Sequence, residues 1–257
     1  MIPDDHPRAK SLHYRHKLVE GMHAKVVTPS GLTAHGRGEA FDYLMGEKTL
    51  PSAEKAAEIA VCAMLTAKHP IISINGNVAA LNPEDFVELS RITGAKLEIN
   101  LFYQAPGRIE AIEKVLREAG ATEILGLGDV ESATISELSS NRRIVDPRGI
   151  YQADVVMVPL EDGDRTEALV QQGKLVIAVD LNPLSRTAMH AHITLIDNVV
   201  RCIPVMISKA KAMKAELEKN TLQYETLKAK VDNYINKDTL KESIKSMIEY
   251  LSSRIDF

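Results

Sequence analysis

Two cysteines among 257 residues allow one disulfide at most, so the chain carries no disulfide framework of the secreted kind and a reducing cytoplasm is the expected setting. Both stand among apolar neighbours, Cys62 in AEIAVCAMLTA and Cys202 in NVVRCIPVMI, and read as small buried residues. Long apolar runs are missing as well. The longest, Ile59 to Ala67, is broken by Thr66, flanked by charge and too short to cross a bilayer. The opening MIPDDHPRAK is polar, unlike a signal peptide. Neither sign of charge dominates. Lys and Arg number 31 against 35 Asp and Glu, and a net charge of −4 gives no basic field for nucleic acid or anionic lipid. The usual nucleotide fingerprints are lacking too: there is no G-x-x-x-x-G-K-[ST], and no G-x-G-x-x-G after the first parallel strand. His13 with His16, and His190 with His192, lack the carboxylate or cysteine spacing of a zinc site, so no metal ligands are assigned.

Three zones organise what is present. Residues 1–69 form an N-terminal helical segment, expected to be integrated with the core. HPRAKSLHYRHKLVEGM brings Leu12, Leu18, Val19 and Met22 near one helical face, with Pro7 suited to the first turn. PSAEKAAEIAVCAMLTAKH predicts a second helix with Ser52 as N-cap. Between them, SGLTAHGRGEAFDYLMG shows no helical period. Residues 70–204 alternate strand and helix. PIISIN, AKLEINLFY, EILGL, ADVVMVPL, LVIAVDL and ITLID read as strands. PEDFVELSRITG, RIEAIEKVLREAG and RTEALVQQG read as helices between them, with a looser stretch over residues 128–148. Val- and Ile-rich strands joined by helical crossovers predict an α/β fold, a parallel sheet with helices on both faces. Residues 205–257 predict a helical tail, with Thr239 and Glu242 as a capping box restarting a helix.

An open parallel sheet binds ligands beyond the carboxyl ends of its strands. Those ends are polar throughout. They carry Asn75-Gly76-Asn77, then Asn100, then Glu161-Asp162-Gly163-Asp164-Arg165, then Asp180-Leu181-Asn182, then Asp197-Asn198. Asp164 is placed to cap the helix that follows, with Glu167 at its third position, and Gly163 lets the backbone turn. Arg15, Arg37, Arg165 and Arg186 are candidate phosphate clamps, because a guanidinium matches phosphate oxygens with paired donors. Arg37 stands out. In the Gly-rich AHGRGEAFDYL a backbone that allows close approach sits beside a fixed cation, with His35 as a second candidate site residue.

The strings GLTAHGRGEAFDYLMGE, ISINGNVAAL, LEINLFY, ADVVMVPLEDGDRTEALV and VIAVDLNPLSRTA, in this order, closely resemble the archaeal phosphopantothenate synthetase family, also called 4-phosphopantoate–β-alanine ligases. The resemblance covers the chain to about residue 204 and is indistinct in the tail. It implies a Rossmann-like core, a homodimer, and an ATP-dependent joining of 4-phosphopantoate to β-alanine that yields 4-phosphopantothenate, AMP and diphosphate in coenzyme A biosynthesis. It also implies ATP contacts at Arg15, Arg37, Asp180, Leu181, Asn182, Arg186, Thr187, Asn198 and Val199. Arg37 and His35 are the expected catalytic residues. Asn75, Asn77, Asn100, Glu161, Asp162, Asp164 and Arg165 are the expected substrate contacts.

The chemistry suits these residues. A carboxylate oxygen must become a leaving group before an amine can displace it, and attack on the α-phosphorus of ATP achieves this. Charge then grows on phosphoryl oxygens, so cations fixed beforehand, Arg37, Arg15 and Mg²⁺, are needed there. The carboxylates of Glu161, Asp162 and Asp164 either hold Mg²⁺ or order Arg165 toward the substrate phosphate. Two other classes compete. A nicotinamide-dependent oxidoreductase would want the missing glycine fingerprint, and a non-catalytic nucleotide sensor would bind ATP without releasing AMP.

Overall fold

The computed structural model describes residues 3, 5, 6, 8–160 and 162–255. Pro7, expected in the first turn, and Glu161, expected at the substrate, lie outside the described residues. Strand β1 (Pro70–Ile74) is buried along its whole length, as an apolar strand covered on both faces must be. It pairs in parallel with β2 (Lys96–Ile99), which pairs with β3 (Ile124–Leu125). After β3 the chain leaves the sheet for a two-stranded antiparallel pair, β4 (Ala133–Thr134) with β5 (Ile144–Val145), inside the stretch that looked loose in sequence. It returns on the other side of β1 as β6 (Val155–Val158), followed outward by β7 (Leu175–Asp180) and β8 (Ile193–Ile196). The order β3-β2-β1-β6-β7-β8 reverses between β1 and β6. Connections on the two sides of that point diverge, so a crevice opens beyond the carboxyl ends of these two strands.

Alternation along the strands sorts the core into two layers. Ile72, Ile74, Leu97, Ile99 and Ile177 face α3 (Pro51–Thr66), α5 (Pro83–Thr93), α6 (Arg108–Glu118) and α9 (Val199–Glu218). Ile71, Leu125, Val156 and Ala178 face α7 (Gly163–Gln171) and Ile135, Leu138, Val145 and Ile150 of the β3–β6 connection. Gly94 ends α5 in the left-handed region, φ 76°, as expected of a helix-terminal glycine.

The N-terminal zone holds α1 (Ala9–His23) and a helix the periodicity did not reveal, α2 (Pro29–Met45). Its end signals are regular. Thr28 caps it by accepting from the Gly31 amide at 3.2 Å, Pro29 occupies the first turn, and Gly46 closes it at φ 76°. The hydrophobic period is absent because its buried face is Glu39, Asp42 and Met45. Ser52 is not the cap of α3. The cap position is Leu50, and the Ser52 hydroxyl lies 2.8 Å from that of Ser243.

Residue 204, the expected end of the alternating core, falls within α9, and Pro204 is accommodated near its first turns. Two more helices follow, α10 (Tyr224–Asp232) and α11 (Asn236–Arg254). The capping box at Thr239 is not formed. Helix α11 starts earlier, and Thr239 is buried inside it. Leu227 of α10 joins the main core, while Leu240 and Met247 of α11 pack with Met45, Leu50 and Ile196. No helix among the described residues is long and apolar enough to cross a membrane.

Candidate active site

The crevice holds a cavity of about 370 Å³ whose walls come from the ends of β1, β2, β6, β7 and β8 and from one side of α2. At β1, Asn75 caps a short helix, α4 (Gly76–Leu81), by accepting from the amides of Asn77 and Val78 at 2.9 and 3.2 Å. Asn77 donates to the Gly31 carbonyl at 2.8 Å and so fastens α2 over the strand end. Gly31 is packed tightly against this contact, since a Cβ there would meet Asn77 Oδ1 at 2.3 Å.

One wall is made by Asp180, Leu181, Asn182, Asn198, Val199 and Arg37. Asp180 accepts from the Asn182 amide at 2.9 Å and from the Ser185 hydroxyl, which fixes the turn after β7. Burial raises its pKa, against those two hydrogen bonds. The side chain of Asn198 is fully engaged. It accepts from Val200 N at 3.3 Å, capping α9, and donates to Asp42 at 3.1 Å. Asp42 also holds Arg201 at 2.6 Å, and Arg201 holds Asp197 at 2.6 Å. The polar face of α2 is thereby clamped to the end of β8, and His35 and Arg37 are carried to the cavity. His35 also lines an adjoining cavity of about 350 Å³ with Arg8, Glu39 and Asp42. Burial lowers its pKa, opposed by Glu39, so the ring is neutral at pH 7.

The opposite wall is cationic. Arg108, at the start of α6, and Arg142, in the 3₁₀ turn Asn141–Arg143, both line the cavity, and both are buried. Arg108 donates to the carbonyls of Val26 (3.3 Å) and Tyr103 (2.5 Å) and makes no ion pair among the described residues. Arg142 Nη1 donates to the Asn100 carbonyl at 2.8 Å. Its Nε lies 2.6 Å from Asp162 Oδ2, a close ion pair without hydrogen-bond alignment. Arg165 sits beneath them at 1% exposure, donating to Ser73 at 2.7 Å and Asn100 at 3.0 Å, with Asp162 at 3.4 Å. Burial, and after it Arg142, lowers Arg165 to about 9, so it stays charged at neutral pH. Burial also lowers Arg108 and Arg142. Among the described residues, Arg142 and Arg165 share the carboxylate of Asp162, and Arg108 pairs with none. Such an excess of buried positive charge is costly unless an anion joins it.

Several expected residues sit elsewhere. The cap of α7 is Asp162, which accepts from Arg165 N at 3.3 Å, and not Asp164. Asp164 is exposed and holds Arg186 at 2.7 Å, with Glu167 on the same guanidinium at 2.8 Å. Gly163 begins α7 without a left-handed turn. Its small size matters because a Cβ would meet Arg186 Cβ at 2.9 Å. Arg165 and Asn100 do not line the cavity. The Asn100 amide donates to Arg142 O and Ile144 O, at 3.3 and 3.0 Å, and supports the wall from behind. Arg15 pairs with Glu39 at 2.8 Å on the far side of α2, and Thr187 is buried with its hydroxyl accepting from Asp162 N at 2.9 Å. Asn75, Asn77, Asp162, Asp180, Leu181, Asn182, Asn198, Val199, Arg37 and His35 do meet at one cavity. Arg108 and Arg142 were not legible in sequence. One follows a helix-starting glycine and the other lies in the loose stretch, so neither adjoins a recognisable strand end. No cluster of three metal-ligating side chains occurs among the described residues.

The sequence profile of the family described as phosphopantothenate/pantothenate synthetase matches residues 52–250. The chain is 54% identical over 214 residues to a 4-phosphopantoate–β-alanine ligase of Thermococcus kodakarensis, covering 83% of this chain and 81% of that protein. It is 47% identical over 252 residues to the protein of that name from Methanosarcina mazei, covering 98% and 96%. A third of the same name, from Methanospirillum hungatei, is 48% identical over 206 residues, 79% and 82% of the two chains. Profile and relatives span the sheet, the cavity and most of the helical layers, so the chain belongs to the phosphopantothenate/pantothenate synthetase family.

Proposed function

We propose that this chain joins 4-phosphopantoate to β-alanine at the expense of ATP, giving 4-phosphopantothenate, AMP and diphosphate. The observation that carries the reading is the two-sided cavity. A wall at the ends of β7 and β8 suits a nucleotide, and a wall holding Arg108 and Arg142, with one paired carboxylate among the described residues, suits a phosphorylated acid. The names of the relatives supply the substrates; the cavity supplies a place for each anionic end.

In the first step a carboxylate oxygen of the acid attacks the α-phosphorus of ATP. A new O–P bond forms, the bond to the β-phosphate oxygen breaks, and diphosphate leaves with its electron pair. Arg37, on the nucleotide side, counters the charge that grows on the phosphoryl oxygens. Mg²⁺ is taken as arriving on the triphosphate, part of the nucleotide substrate. In the second step the amine of β-alanine attacks the acyl carbon, the C–O bond to AMP breaks, and the amine gives up a proton. His35, neutral at pH 7 and facing both cavities, accepts it. Arg108 and Arg142, rather than Arg165, touch the substrate phosphate in this reading, and Arg165 supports them from below. Arg186 and Arg15 stand outside the cavity and reach ATP only by leaving their present ion pairs. The working unit is read as a cytoplasmic homodimer, which sedimentation at micromolar concentration checks.

Carboxylate-labelled 4-phosphopantoate carrying heavy oxygen tests the route. Transfer of one labelled oxygen into the AMP phosphate, in a reaction that needs all three substrates, is the expected result. Label found only in released inorganic phosphate, or ATP binding without AMP formation, overturns it, and the latter leaves a nucleotide sensor.

A further inference from the structure

Strand β2 alternates, so Leu97 and Ile99 enter one core layer while Glu98 and Asn100 face the other. On that second face they meet the apolar set of Ile135, Leu138, Val145 and Ile150, and they are polar side chains at 0% and 2% exposure. Asn100 is explained, since it holds Arg142 and Arg165. Glu98 is used by nothing in the mechanism. Its Oε1 accepts from Asp146 N at 3.0 Å and its Oε2 from Ile150 N at 2.5 Å. The turn between those residues is tight against it, and a Cβ on Gly149 would meet Oε2 at 1.9 Å. The same turn is closed by Asp146, which accepts from Arg148 N at 2.8 Å. Glu98 is therefore the bolt that fixes residues 146–150 to the sheet, and the segment just ahead of them carries Arg142.

We propose that Glu98 is a positioning residue for the cationic wall: by accepting from Asp146 N and Ile150 N it holds Arg142 where the phosphate of the acid substrate binds. The inference rests on the ligase reading and deepens it. Both carboxylate oxygens receive an N–H, and these two bonds are stronger to the ionised form, which accepts with full charge at both oxygens. The charged groups that act on it are Asp146 on the turn and Arg165 on α7; behind them, Arg148 pairs with Asp146, and Arg142 and Arg165 pair with Asp162. Burial raises Glu98 to about 7, with the two backbone donors opposing, so the ionised form prevails above neutral pH.

Calorimetric binding of 4-phosphopantoate and of ATP, each alone, to wild type and Glu98→Gln tests this. The amide keeps one acceptor and presents N–H to a donor. Loss of one such charge-assisted hydrogen bond is expected to raise Kd for the acid by about tenfold and to leave Kd for ATP within about twofold. Equal affinities in both proteins, or both ligands weakened alike, overturns the proposal. Where Glu98→Gln does not fold, Gly149→Ala displaces the same contact without touching charge and is read by the same outcomes. Acid affinity measured in wild type at falling pH adds a second arm. The substrate phosphate titrates at about pH 6 in both proteins, so the weakening below neutral must be larger in wild type than in Glu98→Gln; the same pH dependence in the two overturns the proposal. Wild-type binding of both ligands without AMP release sinks the ligase reading alone and leaves the role of Glu98 measurable.

Discussion

Arg142 brings a full charge into the cavity wall, with Asp162 2.6 Å from its Nε. Removing its guanidinium leaves Asp162 facing the substrate phosphate, which turns an attraction into a repulsion. Arg142→Ala is expected to weaken 4-phosphopantoate by about a hundredfold, the usual consequence of truncating one partner of a buried charged pair. The Michaelis constant for ATP should move little. Steady-state kinetics with each substrate varied in turn checks this, and an unchanged constant for the acid would remove Arg142 from the site. Glu98 makes a separate, thermodynamic statement. Its folded pKa is raised to about 7 from an ordinary 4.5, so between those values the folded chain holds a proton that the unfolded chain releases. The resulting stability is fully present below about pH 4.5 and is lost as the pH rises through about 7, on the order of 3 kcal/mol in all. Denaturant unfolding of wild type should therefore show a decline over that window that Glu98→Gln lacks. Parallel pH profiles for the two proteins would contradict it. The carboxylate that orders the cationic wall costs stability where the proposal needs it charged.

At the scale of elements, α2 is the piece that makes a cavity out of a strand end. It lies over β1 through Asn77 and is clamped to β8 through Asp42, Arg201 and Asp197. Gly31→Ala would press a methyl group to 2.3 Å from Asn77 Oδ1, so the helix has to shift. Overpacking of this kind costs about 1–3 kcal/mol. The expected outcome is a modest fall in Tm with a several-fold rise in the Michaelis constant for ATP, because Arg37 and Gly38 ride on the displaced helix. A variant with wild-type ATP kinetics would mean that α2 does not set the nucleotide wall. This helix also marks how far the sequence could be read. The buried strands declared themselves through Val and Ile, and their polar ends located the crevice and most of one wall of its cavity. Helix α2 hid because it buries Glu39 and Asp42, so hydrophobic periodicity had nothing to report. Its caps, Thr28 with Pro29 and then Gly46, were the signal that remained. The sequence places the cap of α7 at Asp164, and the path of the backbone into the helix gives that position to Asp162. Arg108 and Arg142 come together across 34 residues of chain through tertiary packing, which no local pattern encodes.

Over the whole molecule, the tail is part of the core. Asn236 accepts from Thr194 N at 2.9 Å and donates to Ala188 O at 2.9 Å, tying the start of α11 to β8, and Lys230 pairs with Glu58 at 2.6 Å. Deleting residues beyond 222 uncovers the main core by removing Leu227, and Met45, Leu50 and Ile196 by removing Leu240 and Met247. At about 1.5–3 kcal/mol for each large apolar side chain, the loss approaches the whole stability of an ordinary domain, about 5–15 kcal/mol. Circular dichroism of the truncated chain is expected to show no cooperative thermal transition; a wild-type Tm would make the tail an appendage. What the sheet, the clamped helix and the tail hold in place is one cavity, with a nucleotide side and a phosphate side in the proposed function. Its most direct test is AMP release with ATP and β-alanine, comparing 4-phosphopantoate with unphosphorylated pantoate. Turnover with the phosphorylated acid, and kcat/KM lower by at least about a hundredfold with pantoate, is the expected result. Equal rates with the two acids, or no AMP from either, would contradict it.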